Sequence, residues 1–178
     1  ILLSMAAERF LGEADQFDDR LVTLSHPDGF SALTSGGDIS AHFTSPPYLF
    51  EELKVPGARR IISGEEAFGA PFTFIVGAVR IEFAAENREI LGEIKAALER
   101  KADSLNSSPE KSARLLADEY GLSPELLEEY LGHEELVYSS EVRGLTRFQE
   151  FMFSAGLLDS PYSRSEELHF SLESDSSP

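Results

Sequence analysis

The chain has no cysteine. That excludes a disulfide scaffold and any thiol chemistry, and says little about compartment. Basic residues are scarce: 15 Lys and Arg stand against 32 Asp and Glu, for a formal charge of −17. Such a surface repels nucleic acid and anionic membrane, so neither is an expected partner. It also repels an anionic ligand at long range, so an anion site here must depend on local dipoles and a few placed donors. No apolar run reaches the roughly 20 residues needed to span a bilayer as a helix. Gly36, Gly37, Gly64 and Gly69 form neither a P-loop nor a dinucleotide fingerprint. No G-x-S-x-G elbow is present, and Ser25, His26 and Asp28 are too close in sequence to make a catalytic triad.

What is present is 178 residues, 42% of them hydrophobic. That is enough for one domain with a real core, or for two small lobes sharing one. The first segment, Ile1-Leu-Leu-Ser-Met-Ala-Ala, has no initiator Met and no charged leader, and runs straight into Glu8-Arg9. Leu2, Leu3, Ala6, Ala7 and Phe10 share a helical face that Gly12 can end. The pattern then predicts a strand over Arg20 to Leu24, a turn at Ser25-His26-Pro27-Asp28, and a short helix around Phe30 to Leu33. A second strand runs from Asp38 to Phe43, and Thr44-Ser45 before Pro46-Pro47 reads as the start of a helix from Tyr48 to Lys54. A third strand follows over Arg59 to Ser63. Alternating helix and strand favours an α/β fold with a parallel sheet. Phe72 to Val76 is a continuous apolar run, predicted as a strand buried on both faces.

Beyond it the pattern is helical. Asn87 caps a long helix to Ser104, with Ile90, Ile94, Ala97 and Leu98 on its inner face. Ser108-Pro109-Glu110 and Ser123-Pro124-Glu125 each start a helix, closed by Gly121 and Gly132. Val137 to Ser140 reads as a short extended piece. Leu145 to Ala155 is an aromatic-rich helix with Phe148, Phe151 and Met152 at core spacing. The polar, serine-rich stretch from about Ser160 onward is expected to be frayed or disordered.

The candidate ligand-contacting residues lie in the predicted strand-to-helix turns. His26 and Asp28, with Ser25, occupy the first; Asp28 reads equally well as a helix cap and His26 as an exposed turn residue. Phe43, Thr44 and Ser45 close the second, where hydroxyls and amides can hold an oxyanion beside an aromatic ring. Capping and core packing explain the same residues. Phe72 and Thr73, on the run that follows, complete the set. His42 reads as a packed or internally satisfied histidine. His26, His42 and Asp28 lack the tight spacing of a metal site, so neither a metal nor another cofactor is expected.

Three stretches taken in order, Ser25-His26-Pro27-Asp28, Asp38 to Tyr48 and Gly69-Ala-Pro-Phe-Thr-Phe74, carry a family resemblance. The chain resembles the substrate-binding proteins of ABC importers that handle nitrate, sulfonates, taurine and thiamine-precursor pyrimidines, in register from Ile1 to Phe170. The resemblance implies part of a type II periplasmic-binding-protein fold. Residues 1–68 would form the second lobe, and residues 69–178 would hold the crossover strand and the helical C-terminal part of the first. It also implies a start inside the family pattern, a periplasmic or membrane-anchored extracytoplasmic location, and a permease as partner. The expected role is capture of a small anionic or polar organic solute between two lobes, without catalysis. The alternatives are an enzyme on the same fold, similar to thiamine-pyrimidine synthases or desulfinases, or a remnant that only contacts a partner. A cleft missing one wall predicts weak solute binding and self-association through the apolar surface near Phe72 to Val76.

Overall fold

A computed structural model of the protein describes residues 1–37 and 39–160. Helix accounts for 56% of it, and no strand occurs among the described residues, so the expected α/β periplasmic-binding-protein fold is not formed. The chain separates into two compact units, Ile1–Pro71 and Phe72–Pro178.

The first unit holds α1 (Leu2–Leu11), a single 3-10 turn at Asp18–Arg20, α2 (His26–Thr34), α3 (Tyr48–Leu53) and α4 (Gly64–Phe68). Helix α1 buries Met5, Ala6 and Ala7 and packs on α4, whose Ala67 and Phe68 are buried. It ends where Gly12 takes φ +92°, so that its amide reaches back to the carbonyls of Ala7 and Glu8. Arg9 bridges the helix pair by donating to the Glu66 carbonyl at 3.1 Å.

Helix α4 is short, and its ends are closed by side chains and glycine. The Glu66 amide donates to Ser63 Oγ at 3.1 Å, and the Ser63 amide donates to the Glu66 carboxylate at 2.7 Å, a reciprocal capping box. The bonds from Ser63, the backbone one foremost, hold the Glu66 carboxyl below its ordinary range. Sequence reading expected a strand over Arg59 to Ser63 and missed this helix.

The second unit holds α5 (Ile81–Glu86), α6 (Arg88–Ser107), α7 (Pro109–Tyr120), α8 (Pro124–Leu131) and α9 (Leu145–Ser154). Helices α7 and α8 pack around Ala113, Ala117 and Leu127, with Leu122 and Leu131 against them. Small residues on α7 let the two helices approach closely, and Gly121 at φ +62° turns the chain between them. Both Ser-Pro-Glu segments begin helices, but only Ser123 caps, accepting from the Leu126 amide at 3.2 Å; Ser108 makes no such bond.

Every predicted strand is absent for one physical reason. A strand is stable only when a neighbour completes its hydrogen bonds and covers a face, and among the described residues no ladder of such bonds forms along these segments. Leu21, Val22 and Leu24 are exposed, as is Ile61. Residues 39–43 connect α2 to α3 without regular structure, as do 137–140 between α8 and α9; Asp38 lies outside the described residues. The run expected to be buried on both faces is open to solvent, with Phe74 63%, Ile75 80% and Val76 52% exposed. The long helix near residue 90 forms, yet α6 has no buried residue, and Ile90, Ile94 and Leu98 are exposed where an inner face was expected. In α9, Phe151 is buried while Phe148 and Met152 are half-buried. The serine-rich stretch from residue 161 onward lies outside the described residues.

Candidate functional site

The polar residues of the first unit converge where α2 meets α3. His26, Gly29 and Phe30 stand at helical spacings of three and four, so they share one face of α2. Tyr48 and Glu52 share a face of α3 in the same way. The Tyr48 ring stacks on His26, with centroids 5.9 Å apart and planes 19° apart, and meets Phe30 at 6.3 Å.

His42, from the connection between the two helices, inserts into this contact. Its Nδ1 lies 2.7 Å from Glu52 Oε1, and both side chains are almost fully buried. A carboxylate accepts, so Nδ1 donates, and the ring is oriented by that bond. Its centroid is 5.8 Å from that of His26. The ring lies against the backbone of α2: a Cβ added to Gly29 would stand 2.4 Å from His42 Nε2. Position 29 must therefore be glycine for the ring to sit there. His26 and His42 do approach one another, and His42 is a satisfied, packed histidine rather than one aimed at solvent.

The expected site residues divide into three groups. Ser25 and Asp28 spend their polar groups on each other. Ser25 caps α2, accepting from the Asp28 amide at 3.4 Å and donating to the Asp28 carboxylate at 2.5 Å. A carboxylate in the first turn occupies the favourable end of the helix dipole, where an anionic ligand would otherwise bind.

In the second group, Ser45 Oγ meets His26 Nε2 at 3.4 Å, joining residues from both predicted turns. Thr44 Oγ1 is buried with no hydrogen-bond partner among the described residues, and the Phe43 ring is exposed. Neither Thr44 nor Ser45 caps α3 through its side chain. The residue preceding that helix is Pro47, and α3 is only six residues long, so its first turn carries no side-chain cap.

The third group, Phe72 and Thr73, belongs to the second unit. Phe72 packs edge-on against Phe148 at 5.5 Å. The Thr73 amide donates to the Arg143 carbonyl at 3.1 Å, and Thr73 Oγ1 accepts from the Arg143 amide at 2.8 Å. The same hydroxyl donates to the Glu141 carbonyl at 3.2 Å. Thr73 thus serves as a staple between two segments of its own unit.

Sequence reading did not assign roles to Gly29, Tyr48 or Glu52. The spacing of Tyr48 and Glu52 on one helix was legible, but nothing in sequence marks Glu52 as the partner of His42. Among the described residues, no group of three or more His, Asp or Glu side chains is placed to hold a metal ion. No described helix is long and apolar enough to cross a membrane. No protein-family model matches the chain, and no curated protein or solved structure matches it.

Proposed function

We propose that the chain binds a small anionic or polar organic solute, such as a sulfonate, nitrate or taurine, at the α2–α3 cluster. The partner implied by the family resemblance is the membrane permease of an ABC importer. The observation that carries this reading is the contact of His26 Nε2 with Ser45 Oγ at 3.4 Å. This is a long hydrogen bond between an exposed imidazole and a half-buried hydroxyl. An oxyanion entering there exchanges it for two shorter, charge-assisted bonds. Thr44, the neighbour of Ser45 in sequence, brings a buried hydroxyl that has no partner among the described residues. Leaving such a group unmade costs about 1–3 kcal/mol.

Calorimetric titration of the chain with sulfonates, nitrate, taurine, pyrimidines and aromatic carboxylates tests the proposal. One solute class binds, and His26→Ala and Ser45→Ala each weaken it by roughly tenfold, the loss of one good hydrogen bond to a charged group. Equal affinity in both variants, or no binding across the panel, overturns it.

A further inference from the structure

We infer that Phe74–Val79 is a strand-addition segment through which copies of this chain pair with one another. The segment is held at both ends within the second unit. On one side stand the Phe72–Phe148 ring contact and the three hydrogen bonds of Thr73 to Glu141 and Arg143. On the other side α5 begins at Ile81 and buries Ala84.

Between these anchors, no hydrogen bond joins Phe74–Val79 to another described residue. Its amides and carbonyls are therefore open to another backbone. Its large side chains are open too: Phe74, Ile75, Val76 and Val79 are all exposed. Aromatic and β-branched residues in a run without proline are the composition that pairs most readily as strands.

The choice of occupant follows from charge and identity. The molecule carries a net −17, yet residues 67–79 contain no charged side chain. Two copies can meet along this segment without setting like charges opposite one another, as they would over most of the acidic surface. The segment offers no charged or polar side chain after Thr73 that would select a different sequence. An identical run matches it in both backbone spacing and apolar pattern. A lone two-stranded ribbon is marginal in water, so the pairing is weak, concentration-dependent and able to add further copies.

Sedimentation velocity and amide I infrared spectra of the full chain, recorded over a concentration series, test this. The average mass rises with concentration, and a β signal absent from the dilute protein rises with it. Ile75→Lys and Val76→Lys each weaken association by on the order of tenfold or more, because each removes a buried β-branched side chain and opposes like charges. Both positions are exposed, so the helical circular dichroism stays unchanged. Ile94→Lys, on the exposed stripe of α6, leaves association as it was. A chain that stays monomeric throughout overturns the inference. So does association without β signal, or association that survives both substitutions at 75 and 76 and is lost in Ile94→Lys.

Discussion

The imidazole of His42 occupies the space that a side chain at position 29 would fill, with its Nε2 only 2.4 Å from the place of a Gly29 Cβ. Elsewhere inside a helix, glycine to alanine gains about 0.5–1 kcal/mol. Here it is expected to cost, because the ring is nearly buried and a move would break its bond to Glu52. Gly29→Ala is expected to destabilise the first unit by roughly 1–3 kcal/mol, the usual penalty of overpacking. In a His42→Ala background the obstacle is gone, and the same change becomes neutral or stabilising. Hydrogen exchange of the α2 and α3 amides, measured on both single variants and the double, gives the reversal of sign directly.

Glu52→Ala leaves the His42 Nδ1 donor buried and unmade. Losing a hydrogen bond to a charged group, nearly out of solvent, costs about 1.5–3 kcal/mol. Glu52→Gln keeps an acceptor oxygen at the same place and is expected to cost clearly less. Amide exchange in α2 and α3 ranks the two, and equal protection in both variants and the wild type would show that the contact contributes nothing.

The capping box of α4 makes a pH prediction. The Glu66 carboxyl is lowered from its ordinary range, principally by its bond from the Ser63 amide and then by the Ser63 side chain. A group whose folded-state value is depressed stabilises the fold above its unfolded value, and that contribution is lost as pH falls through the folded one. Protection of the α4 amides therefore declines in the acid range below the ordinary glutamate value. In Ser63→Ala the Glu66 titration, followed by carboxyl carbon chemical shift, moves upward toward that ordinary value.

In the second unit, two similar helix starts behave differently. Ser123 caps α8 through its side chain, whereas Ser108 at the start of α7 does not. Ser123→Ala is expected to cost about 1 kcal/mol and Ser108→Ala close to nothing. Both starts carry the same Ser-Pro-Glu triplet, so thermal unfolding of the two variants separates what the triplet encodes from what the backbone at each serine allows.

Local information was enough for most of the helices. Of the face Leu2, Leu3, Ala6, Ala7 and Phe10, the two alanines are buried and Phe10 is exposed, while the stop at Gly12, the two Ser-Pro-Glu starts, and Gly121 and Gly132 after them all act within one or two turns. Ser45 and His26 were each singled out as candidate ligand contacts, in two separate turns, but that they meet was not legible. The β-prone runs were misread because strand formation is a pairwise property. Phe72 to Val76 has the composition of a buried strand, but past the bonds of Thr73 to Glu141 and Arg143 no hydrogen bond joins Phe74–Val76 to another described residue, and all three are exposed.

By itself, then, the sequence determined the starts and stops of several helices, the net acidity and the lack of thiol chemistry, because these depend on residues acting alone or within a few positions of each other. Tertiary structure alone decided that Gly29 makes room for His42, that Glu52 is the group His42 finds, and that Thr73 bonds to Glu141 and Arg143. Each of those outcomes is a contact between segments distant in sequence, and a contact has no signature in either segment until the chain has brought them together.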